Sequence, residues 1–235
     1  MELSRNRDLP RTEHKQEFVR NLFDRIAPRY DLMNRLMTLG MDQGWRRAAL
    51  DAVDVQPGEL VVDLAMGTGD FAELAVARGA RAIGVDFAKG MLRAARRRRP
   101  TGLFVQTDAG RLPFRDGSAA VMTCGFALRN FTDLDGVFAE CARVLAPGGR
   151  LVLLEVDEPR SRLLRWGHAL HFRHVVPRLG ALLSDAEAYR YLPASATYLP
   201  GEQELITRLE TAGFTRARKR RHLFGAIQQI QTTRA

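Results

Sequence analysis

Lysine is nearly missing from this chain: of 36 cationic residues only Lys15, Lys89 and Lys219 are not arginine. The formal charge of +9 is as consistent with a coding preference for arginine as with a partner, so it points only to acidic surfaces in general, nucleic acid or anionic lipid alike. Cysteine is scarce too, and Cys124 and Cys141 show no CxxC or paired spacing. A disulfide scaffold is excluded, and a reducing cytoplasm is the expected setting. Long apolar runs are absent. The stretch Gly117 to Leu128 is bounded by Asp116 and Arg129, far short of the roughly 20 residues that cross a bilayer. The opening MELSRNRDLPRTEHKQ has no apolar segment that would make a leader. Internal repeats and low-complexity linkers are also lacking. What is present is a hydrophobic content of 46% in 235 residues, enough for the core of one domain.

The chain divides by pattern. Residues 1–56 read as an N-terminal helical cap, with Phe18, Leu22, Phe23 and Ile26 on one face of a helix over 17–29 and a second helix from about Asp42 to Val53. Over 57–158, the short apolar runs LVVDLA, RAIGVD, GLFVQTD, AAVMTCGF and RLVLLEV alternate with helical stretches at 70–78, 88–99 and 133–145. Continuous apolar runs joined by helices predict parallel strands buried on both faces, in a doubly wound α/β sheet. Residues 159–200 read as a helical insertion broken by Pro177, Pro193 and Pro200. Residues 201–235 give a closing helix and an antiparallel pair, Phe214–Arg221 with Leu223–Thr232, completing a seven-stranded, mostly parallel sheet.

The strongest local signal is VVDLAMGTGD at 61–70, a strand entering a glycine turn and then a helix. Glycine there lets the backbone turn sharply and a ligand approach closely. Gly67, Gly69 and Ala72 also satisfy a dinucleotide G-x-G-x-x-A pattern, and Asp86 after the second strand fits a ribose in either case. Charge favours one reading: Asp63 and Asp70 would repel a pyrophosphate, whereas S-adenosylmethionine carries a sulfonium, an ammonium and no phosphate. Asp70 also reads as the helix N-cap. Asp108, with Gln106 and Thr107, places a third acid at a strand end where an adenine edge would lie. The arginine run at 96–99 reads as a solvated helix end.

Taken with these features, YDLMN at 30–34 followed by Thr38, Gly40 and Trp45, AMGTGD at 65–70, LPF at 112–114, FALRN at 126–130, RVLAPGGRLVLLE at 143–155, YRYL at 189–192 and AGF at 212–214 resemble one family. It is the class I S-adenosylmethionine-dependent methyltransferases that methylate demethylmenaquinone and polyprenyl-benzoquinol. The resemblance runs from Phe23 to Arg234. It implies a Rossmann-like fold, S-adenosylmethionine as cofactor in contact with Thr68, Asp86, Asp108 and Ala109, and no metal; Asp63, Gly67 and Gly69 join these candidates from the strand and glycine turn themselves. It implies a prenylated quinol as acceptor, most directly demethylmenaquinol. Several positions depart from the family pattern: Asp42 for histidine, Thr38 for serine, Met66 for a small residue, Ala127 for glycine, Ala146 for lysine, and Val156-Asp157-Glu158 for an aromatic-Ser-Lys sequence. Asp42, Met66 and Asp157 are expected to bear on the acceptor, which leaves another small aromatic acceptor, or a silent cofactor-binding subunit, as alternatives.

Methylation at ring carbon needs in-line alignment and a place for the developing oxyanion. Arg129 and Asn130 follow the fourth strand, where ligands bind in such sheets. Arg129 is expected to stabilise a quinolate, Asn130 to orient a ring oxygen and Tyr30 to add a hydrogen bond, with water taking the proton because arginine is a poor base. A salt bridge from Arg129 to Asp133, and a core role for Tyr30, are the plainer readings. Cys124 invites comparison with cytosine methylases, yet no Pro-Cys or Asn-Pro-Pro-Tyr accompanies it and no nucleic-acid module is visible. Residues 161–183 interleave apolar and arginine positions, suiting either an anionic membrane surface or a lid. His168, His171 and His174 lack the carboxylate or cysteine partners of a metal site. A homo-oligomer is compatible with the sequence.

Overall fold

A computed structural model describes residues 9–10, 12–157, 159 and 185–235. The apolar runs form strands β1 (Leu60–Leu64), β2 (Arg81–Asp86), β3 (Leu103–Gln106), β4 (Ala119–Gly125) and β5 (Leu145–Val156), followed by β6 (Phe214–His222) and β7 (Ile227–Arg234). They build one seven-stranded sheet in the order β3-β2-β1-β4-β5-β7-β6. Pairings among β1 to β5 are parallel, and β7 runs antiparallel between β5 and β6. The helices are α1 (Thr12–Ile26), α2 (Tyr30–Thr38), α3 (Met41–Ala52), α4 (Asp70–Val76), α5 (Lys89–Arg98), α6 (Leu134–Val144), α7 (Ala186–Ser195) and α8 (Glu202–Thr211).

Alternation along the central strands explains why they read as unbroken apolar runs. Met122, Cys124, Leu151 and Leu153 enter one cluster with Phe138, Leu205 and Phe214. Their neighbours Val121, Val152 and Leu154 enter the opposite cluster with Trp45, Leu50 and Phe71. Both faces are covered, as parallel sheets require. A third cluster joins Val19, Leu22 and Ile26 of α1 to Met91 of α5 and Tyr191 of α7. Lys15 reinforces that join by donating to the Phe131 carbonyl at 2.9 Å while lying over the Tyr198 ring; burial pushes its pKa down to about 8.

Three expectations need correction. The helix expected over 17–29 ends at Ile26, and a single 3-10 turn, Ala27–Arg29, separates it from α2. Pro28 lies in that turn, removes a backbone donor and prevents continuation. Conversely, Pro193 does not break the insertion: α7 runs through it to Ser195, held by buried Ala188 and Tyr191. The last strand starts at Ile227 rather than Leu223, because Leu223–Gly225 form a turn. The amphipathic segment 161–183, with Pro177 and the three histidines, lies outside the described residues. Among the described residues no helix is long and apolar enough to cross a membrane, and no group of His, Cys, Asp or Glu is gathered for a metal.

Candidate active site

The sheet order reverses between β1 and β4, and the crevice beyond the carboxyl ends of these strands is where such folds bind ligands. After β1 the chain turns through Ala65 (φ 48°), Gly67 (φ 57°) and Gly69 (φ 89°) into α4. Asp86, at the end of β2, closes this turn from the side: one carboxylate oxygen accepts the Gly67 N–H at 2.8 Å and the other the Ala88 N–H at 2.9 Å. Burial pushes its pKa up to about 6, against the two amides that favour the charged form. The Gly67 amide at the start of the glycine turn is therefore engaged by a carboxylate, which fixes the turn against the end of β2.

A cavity of about 410 Å³ opens against this turn. Of the residues expected to hold a cofactor, Gly67, Asp86, Asp108 and Ala109 line it, joined by Tyr30 and Asn130. The loop carrying Asp108 is stiffened by the Gly110 N–H, which donates to its carboxylate at 2.8 Å, and by Gln16 from α1.

Asp63, Thr68 and Gly69 are not among the lining residues. Asp63 is buried behind the cavity, beside its cross-strand partner Thr123. It accepts from the Thr123 hydroxyl at 2.8 Å and from the Ala72 N–H at 3.1 Å, and burial pushes its pKa up to about 7. Thr68 donates to Asp31 of α2 at 2.5 Å, tying the cap to the turn. Gly69, not Asp70, is the N-cap of α4. Asp70 sits in its first turn with Arg98, both guanidinium nitrogens 3.1 Å away. Arg98 also pairs with Asp31 and Glu73, and Arg99 with Glu73, so the end of the run 96–99 clamps α4 rather than only facing solvent.

A second cavity of about 380 Å³ adjoins the first, and Phe23, Tyr30 and Phe126 line both. Its walls are mostly apolar, from Met37, Leu39, Met41, Trp45, Val156, Leu192 and Phe224 among others, and it contains two buried guanidinium groups. Arg129, in the turn after β4, pairs with Glu155 of β5 and donates from Nε to Ser195 at 3.1 Å. The plainer reading of Arg129, a salt bridge to a nearby acid such as Asp133, is thus met by Glu155 in place of Asp133, which caps α6 by accepting from the Gly136 N–H. Arg129 faces the second cavity and Asn130 the first, so the adjacent pair divides between them. The Asn130 carbonyl oxygen accepts from the Tyr191 hydroxyl at 3.1 Å. Burial raises the pKa of Tyr30, whose hydroxyl stays protonated at neutral pH.

Arg46 escaped the sequence reading. Only 6% exposed, it lies over the rings of Phe71 (5.4 Å) and Phe126 (5.3 Å). Asp42 is 3.5 Å away and Asp70 4.0 Å, yet its Nε and Nη1 have no hydrogen-bond acceptor among the described residues. The signal available in the sequence was an Asp42/Arg46 pair at i, i+4 on a helix beside Trp45.

The departures from the family pattern sort by position. Asp42 and Thr38 line the second cavity together, the threonine hydroxyl donating to the aspartate at 3.0 Å. Asp157 instead pairs with Lys219 at 2.9 Å and with Arg221. Met66 turns away from both cavities into a small cluster with Leu92, Ala95 and Phe104, over Gly84. Cys124 is fully buried, and burial pushes its thiol pKa well above the usual value, so it is no nucleophile.

Comparison with known proteins follows this geometry. The chain is 44% identical over 220 residues to a demethylmenaquinone methyltransferase of Deinococcus radiodurans, covering 91% of each. It is 43% identical over 201 residues to the one from Thermus thermophilus (83% of this chain, 91% of the relative). A ubiquinone/menaquinone biosynthesis C-methyltransferase of Geobacter sulfurreducens is 37% identical over 227 residues (92% and 88%). Among solved structures, a possible histamine N-methyltransferase of Thermotoga maritima has a similar fold, with a TM-score of 0.62 at 20% identity over 92% of this chain and 99% of that one. The model of the ubiE/COQ5 methyltransferase family matches residues 11–233, and the chain belongs to that family.

Proposed function

We propose that this protein moves a methyl group from S-adenosylmethionine to a ring carbon of a prenylated quinol, demethylmenaquinol in the first instance. The observation that carries this reading is the pair of adjoining cavities, one bordered by the carboxylates Asp86 and Asp108 at the strand ends and one still more apolar, meeting at Tyr30 and Phe126. The names of the relatives point the same way.

The first cavity suits the cofactor. Asp86 and Asp108 offer carboxylate oxygens to ribose hydroxyls and an adenine amino group, and Gly67 permits close approach. When bound, the cofactor supplies an electrophilic methyl group on a sulfonium. The chain's own residues do the rest. The apolar walls of the second cavity exclude water around the acceptor ring. Phe23, Tyr30 and Phe126 set the shared boundary across which ring carbon and methyl must lie about 3 to 3.5 Å apart. Release of the ring hydroxyl's proton develops negative charge on that oxygen; as the new carbon–carbon bond then forms, the methyl–sulfur bond breaks to give S-adenosylhomocysteine, and the ring-carbon proton restores the hydroxyl. The Nη2 edge of Arg129, which has no partner among the described residues, and the unpaired donors of Arg46 are the groups we assign to that oxygen. Water accepts the released proton.

The test is turnover of a short-chain demethylmenaquinol with S-adenosylmethionine, followed by mass spectrometry. The expected product carries one more methyl group on the ring. Tight binding of S-adenosylhomocysteine with no methylation of the naphthoquinol would overturn the acceptor assignment, and the Asp42/Thr38 pair in the second cavity would then direct the search to another aromatic acceptor.

A further inference from the structure

Six of the eight exposed large apolar side chains among the described residues fall on two segments, with Val76 and Leu103 elsewhere. Leu32 and Leu36 are on α2, Leu39 is in the turn after it and Met41 starts α3, while Leu223 and Phe224 come from the β6–β7 turn. Leu32 and Leu36, at i and i+4, lie on the exposed flank of the apolar face of α2 whose other flank buries Met33, and Leu39 follows at the helix C-cap. Leu39 is 83% exposed and Phe224 78%, yet both, with Met41 and Leu223, also line the second cavity. The two segments thus form its rim.

The backbone supports a purpose for this rim. Leu39 (φ 52°), Leu223 (φ 46°) and Phe224 (φ 54°) are held in the left-handed region, which bulky side chains rarely adopt. Local strain of this kind is retained where the surroundings or a function demand it. Charge identifies the partner. β6 leads into the Leu223 turn with Arg216, Arg218 and Arg220 exposed, and neither Arg218 nor Arg220 forms an ion pair among the described residues. At about 3.3 Å per residue, Arg220 lies roughly 10 Å from the apolar tip, a spacing that lets a cation sit at headgroups while the tip enters the acyl layer.

We infer that the rim formed by Leu39, Leu223 and Phe224, with the exposed flank of α2 beside it, docks this protein on an anionic lipid bilayer, with the mouth of the second cavity facing the membrane. A prenylated acceptor then passes from lipid to cavity without crossing water. The inference rests on the second cavity being the acceptor site only for what the docking accomplishes; the docking itself needs neither cofactor nor acceptor.

The test is vesicle co-sedimentation of the full chain without cofactor, comparing phosphatidylcholine vesicles with ones that include phosphatidylglycerol. Wild type is expected to partition onto the anionic vesicles, and less so as salt rises. Leu39→Asn with Phe224→Asn should weaken partitioning at least tenfold and leave the melting temperature level or higher, because asparagine tolerates the left-handed region. Arg218→Glu with Arg220→Glu should weaken only the phosphatidylglycerol-dependent part. Leu32→Gln with Leu36→Gln, outside the cavity lining, should lower turnover of acceptor embedded in vesicles while sparing a water-soluble acceptor. Unchanged partitioning of the Asn variant overturns the proposal. So does a lower melting temperature, which would mean that these side chains pack against the chain itself, or a dimer dissolved by the substitutions, which would make a second copy the occupant. Partitioning without turnover of any quinol would refute the acceptor assignment and leave the docking standing.

Discussion

Arg46→Met separates stability from catalysis in this protein. The guanidinium is buried, and two of its donors lack acceptors among the described residues. Each buried donor left unsatisfied costs about 1–3 kcal/mol. Against this stand two ring contacts, worth about 0.5–2 kcal/mol each, and attraction to Asp42 at 3.5 Å, without a hydrogen bond. Removing the side chain leaves Asp42 with Thr38 and Gln43 as donors, and Asp70 with Arg98. The opposing contributions nearly cancel. The net loss should be about 1 kcal/mol, a fall of roughly 2–4 °C in a chain of this size, well below the 3–5 kcal/mol of breaking a well-bonded buried ion pair. The Arg129–Glu155 pair, cut by Arg129→Met, supplies that contrast. Catalysis should behave oppositely: loss of a donor aimed at the developing oxyanion lowers kcat/KM by about 10²–10³-fold. Thermal melts, titration with S-adenosylhomocysteine and single-turnover rates with a short-chain quinol measure the three quantities together. A large drop in melting temperature with full activity would refute the reasoning, since Arg46 would then be a structural ion-pair member and nothing more.

Titration supplies two further tests. Asp63 has a folded pKa of about 7, above its unfolded value, so between about pH 4 and pH 7 the native state binds more protons than the unfolded state and stability falls as pH rises. Asp63→Asn can keep both contacts, its oxygen accepting the Ala72 N–H and its amide donating to the Thr123 hydroxyl. It should flatten that fall and melt higher than wild type above pH 7; a wild-type melting temperature rising steadily from pH 4 to 7 contradicts this. Asp86, pushed up to about 6, should make affinity for S-adenosylhomocysteine weaken as pH drops through 6. Asp86→Asn should bind about 10–100-fold more weakly at pH 8 and lose the pH dependence, as read by calorimetry. Gly84→Ala would bring a methyl group within 1.9 Å of the Met66 sulfur, so it should cost about 1–3 kcal/mol. Adding Met66→Ala should recover part of that loss in denaturant melts.

The strands were legible because both sheet faces are covered, so the central strands carry apolar residues at nearly every position. α2 was not, although Tyr30, Leu32, Met33, Leu36 and Met37 fall on one apolar face, because it is only nine residues long and a single turn containing Pro28 sets it off from α1. Met66 looked like a change to the cofactor loop, but what accommodates it is Gly84, a position on β2 with no linear relation to the loop. Phe126 was hidden for a different reason. Among the described residues, five of the seven non-glycine residues with positive φ, namely Leu39, Ala65, Phe126, Leu223 and Phe224, line the two cavities. Residue type carries no mark of such a conformation when the residue is not glycine, so the walls of the site are its least readable part.

The choice of cofactor shows how a sequence argument reaches a sound conclusion by the wrong force. Asp63 and Asp70 appeared to repel a diphosphate by their charge. In the fold Asp63 is buried with a pKa near 7, and Asp70 is met by Arg98, so neither presents a full charge to the crevice. What remains is Asp86 at the end of β2, held by the Gly67 and Ala88 amides, and an acid there meets a ribose in either kind of site. The cofactor therefore follows from the family to which the chain belongs and not from the charge of two acids along the strand and helix. The sequence reveals that Asp86 is present, but only the paired register of β1 and β2 shows which amide it reaches.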